Sequence, residues 1–424
     1  MSIINRTSRR VAFGVGVLTI SALIAGCANS SPAAQGDQVI ELWELINPDG
    51  DDPRGNDLRA NIDAFEKANP GVKVKVTVLP WANIDGQLMQ AANAGNSPDV
   101  VRVLAWDVPK HIAAGNLLPL EDLIPAAEQE DWLLGWDTLS ADGHKWAIPF
   151  EYRSPVLYYR TDYTGAEPPA TWDEMVTQAS GADSNGGVVL GMSSGAQAAA
   201  LAEVFVSYLW AEGAEVFDDD GKAAFDSPEG IRAFERIGSL MPEGVTPEEA
   251  VSYTYEEVFQ SISAGTADFW LLGSHRFEAA AAGAGLEDTL RIAPLPGLTA
   301  GQATPAHVFG WSLAIGKDAD DPDLAAKLIS HMTSADSQLA RVQNTGELPT
   351  RASVYEDPWF TTEDGATAAM LADWFQRDGR SLDYGEHYIA LSQLWAEALQ
   401  RMALEGLDAA TAAKQAADAY NALL

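Results

Sequence analysis

Phe65-Glu66-Lys67-Ala68-Asn69-Pro70-Gly71-Val72-Lys73-Val74-Lys75-Val76-Thr77-Val78 changes its periodicity midway. Upstream, Leu58, Ile62 and Phe65 share one face of a helix, with Asn56 and Asp57 as its expected caps. Asn69-Pro70-Gly71 stops that helix. From Val72 the valines alternate with Lys73, Lys75 and Thr77, the pattern of a half-buried strand. Working outward, 39–43 reads as an earlier strand and 84–94 as a second helix. A buried strand over 99–104 and a helix near 110–114 follow. Strands and helices that alternate in this way predict an α/β sheet.

The same alternation continues. Strands are expected over 156–159, 268–272 and 311–315. Helices are expected after the capping box Thr171-Trp172-Asp173-Glu174, after Ser227-Pro228-Glu229, over 255–264 and after Asp321-Pro322-Asp323. The chain from Tyr388 is helix-rich and alanine-rich. No fixed-period repeat interrupts it.

Composition narrows what such a fold serves. Of 424 residues 47% are apolar, enough for a full core. The one cysteine, Cys27, excludes an intrachain disulfide. Against 26 Lys and Arg stand 61 Asp and Glu, a net charge of −35. That balance excludes nucleic acid, whose phosphates require basic patches. It also argues against electrostatic adsorption to anionic lipid. Cys27 follows Arg6, Arg9, Arg10, an apolar run over 11–24 and Ala25-Gly26. This is the form of an export signal, too short for a bilayer, which takes about 20 apolar residues. Its end resembles a bacterial lipobox, which implies removal of 1–26 and lipidation of Cys27. Ser8-Arg9-Arg10 leaves the twin-arginine export route open beside the general one. Residues 27–36 read as a flexible tether.

Several segments, in order along the chain, carry a family resemblance. They are Ala94-Gly95-Asn96-Ser97-Pro98-Asp99-Val100-Val101, Gly115-Asn116-Leu117-Leu118-Pro119-Leu120 and Trp146-Ala147-Ile148-Pro149-Phe150 with Tyr158-Tyr159-Arg160-Thr161-Asp162. Pro168-Pro169-Ala170-Thr171-Trp172-Asp173-Glu174, Ser263-Ala264-Gly265-Thr266-Ala267 with Gly273-Ser274, and Gly346-Glu347-Leu348-Pro349-Thr350-Arg351 complete the set. The chain resembles the family 1 extracellular solute-binding proteins, maltose-binding-protein-like lipoproteins of carbohydrate ABC importers. The resemblance implies a two-lobe periplasmic-binding-protein-like α/β fold of type II, with a hinge and an interlobe ligand cleft. It places one lobe at 37–150 plus 291–335 and the other at 156–285 plus 336–424. Crossovers are expected at 151–155, 286–291 and 333–337. It implies a monomer outside the cytoplasm, anchored by lipid at Cys27, that delivers a di- or oligosaccharide to a membrane permease without catalysis or cofactor.

Sugar sites pair flat apolar surfaces with planar hydrogen-bonding groups. Candidates of that kind are Trp43 with Glu44, Trp81 with Asn83, Trp106 with Asp107, and Glu151-Tyr152-Arg153 at the first crossover. Trp106 and Asp107 follow a strand's carboxyl end, where open α/β sheets bind ligands. Trp106 and Arg153 are expected to serve the ligand and not the core, whereas Trp172 is expected in the core. His275 stands where the family has a stacking Trp, so Trp270, His275, Arg276 or Gly310-Trp311 is expected to replace it. Arg351 follows the family's LPxR pattern.

Other chemistries have weaker footholds. Gly191-Met192-Ser193-Ser194-Gly195 fits G-x-S-x-G after an apolar run, so a serine hydrolase using Ser193 is an alternative. A binder of polyols or glycerol phosphates is another, but a phosphate calls for more Arg and Lys near the cleft than the sequence offers. Asp218-Asp219-Asp220-Gly221 lacks calcium-loop ligands at its ends and reads as a hairpin turn, so no metal is expected.

Overall fold

The computed structural model describes residues 38–125, 130–134, 137–181, 184, 186–194 and 198–424. Cys27, its leader and its tether lie outside them. The alternating valines form strand β2 (Val72–Val78), paired in parallel with β1 (Gln38–Glu44). The helix between them, Pro53–Ala68, starts earlier than expected. Asp52 caps it in place of Asn56 or Asp57, accepting from the amides of Arg54 and Gly55. Asp57 is instead buried at the helix face, where it meets Arg341.

Strand β3 (Val100–Leu104) lies beside β1 and is buried at every residue. Asp99, just before it, accepts backbone hydrogen bonds from Glu41 and Asp320, both at 2.8 Å. One carboxylate thereby ties three chain segments at the amino end of a central strand. Short strands β4 (Leu117–Leu118) and β5 (Ile148–Pro149) flank a long-range partner, β10 (Trp311–Gly316). That partner runs antiparallel to β3, so the first sheet reads β2-β1-β3-β10-β4, with β5 also on β10.

A second sheet is built from β6 (Pro155–Arg160), β7 (Val188–Val189), β8 (Phe269–Gly273) and β9 (Leu290–Ala293), in the order β9-β6-β8-β7. Both faces of β8 are buried, since the helices Ala199–Glu212 and Tyr255–Ala264 pack against it. The chain changes sheet between 149 and 155 and again between 293 and 311. The second change comes later than the expected 286–291, because Leu290–Ala293 hydrogen-bonds along β6 in the second sheet. The helix Ala335–Thr345 also departs from expectation. It packs on the helix Pro53–Ala68 beside the first sheet through Arg341 and through Asn344, whose amide donates to Asp57 at 3.1 Å. At the two sheet changes, Arg153 and Phe309 exchange backbone hydrogen bonds of 2.8 and 3.0 Å, so the crossing segments run side by side. Gly310 is required there, since a Cβ would lie 1.8 Å from the Glu151 carbonyl. Among the described residues no helix is long and apolar enough to cross a membrane.

Candidate ligand-binding cleft

The carboxyl ends of β1 and β3 and the start of β10 face the end of β8 across a cavity of about 200 Å³. Leu45, Leu104, Trp106 and Trp311 line it from the first sheet, with Arg54 from the following helix. Arg153 enters from the crossover. The opposite wall is Glu203 on Ala199–Glu212, Tyr255 and Glu256 on Tyr255–Ala264, and His275 with Arg276 after β8. Trp81, 40% exposed, stands at the rim.

Behind the first wall lies a buried charge network. Arg102 interrupts the otherwise apolar β3 and lies 2.9 Å from Glu44 and 3.8 Å from both Glu151 and Glu347. Burial opposes its charge, but those three carboxylates more than offset this and raise its basicity. Arg54 reaches Glu347 at 2.5 Å, and Arg153 pairs with Glu151. Burial pushes Glu347 up, yet Arg54, Arg102, Arg341 and Arg153 together hold it down to about 2. Charges removed from water persist only with such partners.

The second wall differs. His275 lies 3.0 Å from Arg153 through Nε2 and stacks on Tyr255 with ring centroids 5.8 Å apart. Gly273 leaves them room: a Cβ there would lie 2.6 Å from the Tyr255 hydroxyl. Burial and the surrounding arginines, Arg153 foremost, push His275 well below the usual imidazole range, so it is neutral. Glu203 is 4% exposed, and its carboxyl makes no hydrogen bond among the described residues. Burial pushes it up to about 8, with Arg153 only partly opposing.

Known proteins match this chain in sequence and in overall fold. The sequence profile of a family described as bacterial extracellular solute-binding proteins matches residues 60–369. The chain belongs to this family. A Deinococcus radiodurans protein named "Probable ABC transporter-binding protein" is 28% identical over 71% of this chain and 74% of its own length. The diacetylchitobiose binding protein DasA of Streptomyces coelicolor is 22% identical over 82% of this chain and 83% of its own. Among solved structures, maltose-bound MalE3 of T. maritima superposes with a TM-score of 0.77 at 25% identity, over 91% of this chain and all of its own. The GacH receptor of Streptomyces glaucescens gives 0.78 at 23%, over 92% and 98%. The fold is thus the two-lobe type of these binding proteins.

In this solute-binding protein Trp81, Trp106, Arg153, His275 and Trp311 of the expected residues line the cavity, and Arg276 joins them. Glu44 and Glu151 stand behind the wall as partners of Arg102 and Arg153. Tyr152 and Gly310 lie on the crossover, away from the cavity. Like Tyr152 and Gly310, five further residues are placed otherwise than the sequence reading expected. Trp270 is fully buried in β8, its Nε1 donating to Ser261 at 2.9 Å, because helices cover that face. Trp43 turns its Nε1 toward Glu41 on its own strand. Asn83 is exposed outside the cavity. Asp107 points to Lys110 and is raised to about 7 by burial and by Asp85. Arg351 donates to the Thr333 carbonyl at 2.6 Å and lies over Trp132, fixing a loop.

Trp106 does two jobs where one was expected. It lines the cavity, and it packs on Phe309, Tyr384 and Tyr388 with centroids 5.2 to 6.4 Å away. Trp172 is core, edge-on to Tyr208. Ser193 Oγ donates to the Ser194 carbonyl, and no histidine hydrogen-bonds it among the described residues. The family is one of binders, and the chain is not an enzyme. Asp218 accepts from the amides of Asp220 and Lys222, the expected turn. Sequence reasoning missed Arg54, Arg102, Glu203, Tyr255 and Glu347. Two of these had a signal: a lone charge inside Val100-Val101-Arg102-Val103-Leu104, and one inside Leu201-Ala202-Glu203-Val204-Phe205.

Proposed function

We propose that the protein captures a carbohydrate in this cavity and presents it to the permease of an ABC importer. The observation that supports this most is the lining itself: Trp81, Trp106, Tyr255 and Trp311 offer flat apolar faces beside Arg153, Glu203 and Arg276. Sugar rings need that pairing of stacking area with directional polar groups. Relatives named for diacetylchitobiose and galactooligosaccharide binding, and a maltose-bound structural neighbour, point the same way. Trp81 at the open rim favours a ligand of more than one ring. Closure would bend the paired segments at Arg153 and Phe309, with the lobes at 37–150 plus 291–335 and 156–285 plus 336–424 adjusted for the strand Leu290–Ala293. Lipid at Cys27 would hold the monomer at the outer membrane surface of the cytoplasm-bounding bilayer.

A thermal-shift screen of the mature protein against mono-, di- and oligosaccharides tests the ligand class. A sugar at 100 times its Kd should add about 2.7 kcal/mol of stability. A complete panel with no shift would defeat the carbohydrate reading. Attachment is tested apart from it: Cys27→Ser should release folded protein to the medium, and retention of that variant would defeat the lipid anchor.

A further inference from the structure

We infer that the cavity is built for an acidic carbohydrate, one carrying a carboxylate or a phosphate ester, with Arg54, Arg153 and Arg276 facing the anionic group. The inference rests on the carbohydrate reading above and narrows its substrate class.

The first observation is where the cations are. The chain has 61 acidic residues against 26 Lys and Arg, yet three arginines line this one cavity, against two carboxylates, Glu203 and Glu256. The second is which side of each ion pair faces inward. Glu151 and Glu347, the partners of Arg153 and Arg54, do not line the cavity, and their side chains are 0% and 5% exposed. Arg54 and Arg276 keep 26% and 25% of theirs open. At Arg54 and Arg153, the latter 8% exposed, a ligand meets guanidinium groups with the compensating charge behind them; at Arg276 the partner Glu256 lines the cavity as well.

The third observation is a surplus of donors. Arg54, Arg153 and Arg276 each leave an Nε–H with no hydrogen-bond partner among the described residues; these atoms are closed off in this geometry and reach a ligand only when the guanidinium group turns toward it. A neutral sugar presents donors and acceptors alike, whereas an anion supplies acceptors only and matches a guanidinium through two parallel bonds. Arg276 is also easily recruited. Its partner Glu256, at 3.0 Å, is 57% exposed, and exposed pairs hold weakly.

Glu203 and His275 do not cancel this field. The Glu203 carboxyl keeps its proton at neutral pH through burial and can donate to the ligand. His275 is neutral and faces Arg153. The helix Ala199–Glu212 opens onto the cavity at Ala199 and Ala200, bringing the positive end of its dipole.

Calorimetric titration of the mature chain with matched probes tests this. The pairs are galactose against galacturonate and glucose against glucose 6-phosphate, with digalacturonate and maltose as two-ring probes. At least one acidic probe should bind about tenfold or more tighter than its neutral counterpart, a difference of about 1.4 kcal/mol. Its affinity should fall as salt rises. The carboxylate and phosphate arms tell the two anions apart. Glu256→Gln should raise affinity for the acidic probe severalfold and Arg276→Gln should lower it, each checked for folding by circular dichroism. If neutral sugars bind as tightly as acidic ones, or salt has no effect, the acidic preference is wrong and the carbohydrate reading stands. If glycerol 3-phosphate binds and no carbohydrate does, the carbohydrate reading falls and the anion preference survives. If no probe binds, both fall.

Discussion

On the first-sheet side of the cleft, buried carboxylates meet guanidinium groups: Glu44 lies 2.9 Å from Arg102, Glu347 2.5 Å from Arg54, and Glu151 pairs with Arg153. On the second-sheet side Glu203 is equally buried, and its carboxyl makes no hydrogen bond among the described residues. Both walls remove charge from water, but they do so by different means. The first keeps its ions and neutralises them by contact, which fixes their positions before any ligand arrives. The second keeps its acid neutral by holding a proton, which leaves its hydrogen-bonding capacity for whatever enters. The contrast separates a framework that shapes the cleft from a surface that reads the ligand.

The sharpest way to break that contrast is Arg102→Met. It leaves Glu44, Glu151 and Glu347 buried with less compensation, and loss of one member of a buried ion network costs about 3–5 kcal/mol. Urea unfolding should show that loss. A change below about 1 kcal/mol would mean that the carboxylates tolerate solitude and that the two walls do not differ.

Trp106→Ala comes next. The side chain is buried against three aromatic rings, so its loss should cost about 3 kcal/mol of stability as well as ligand affinity. Unchanged stability with lost binding would return Trp106 to a purely ligand-facing role.

Glu203→Gln probes the second wall through pH. The ordinary glutamate value is 4.5, and the folded one is raised to about 8. Between those values the folded protein holds a proton that the unfolded chain has released. The proton-linked stability is therefore complete below about 4.5, declines as pH rises, and is gone above about 8. Glu203→Gln should flatten that decline and gain on the order of 2 kcal/mol at pH 8, less than the full shift because cavity water relieves part of it. Melting temperatures at pH 5 and pH 8 decide it; parallel profiles for variant and parent would mean that Glu203 is ionised.

The smallest effect on the fold should come from Trp81→Ala. At 40% exposure its removal should alter stability by less than about 0.5 kcal/mol, while titration shows weaker ligand binding. Equal binding would remove Trp81 from the site.

Much of the architecture could be read in advance because it rests on neighbours in sequence. The valine alternation became Val72–Val78, Ser227 capped Pro228–Gly238, and the helix expected over 255–264 formed as Tyr255–Ala264. The start of the first helix was misread because Asp52 and Asn56 are equally good caps by composition, and Asp57 was needed elsewhere. Aromatic residues were harder. Trp270 sits between Phe269 and Leu271 and Trp311 between Gly310 and Ser312, both in strands buried at every residue, and burial along the strand does not say which ring a helix will cover.

By itself, then, the sequence determined the alternation of strands and helices, the caps, the acidic balance and a family resemblance, all of which arise from short-range periodicity and composition. Only the tertiary structure decided that Arg54, Arg102, Glu151 and Glu347 would share one buried cluster, and that Glu203 would stand apart. These residues come from segments between 48 and 293 positions apart. Whether a carboxylate is paired, neutral or free depends on the water and the charges around it, and those are set only when the sheets close over it.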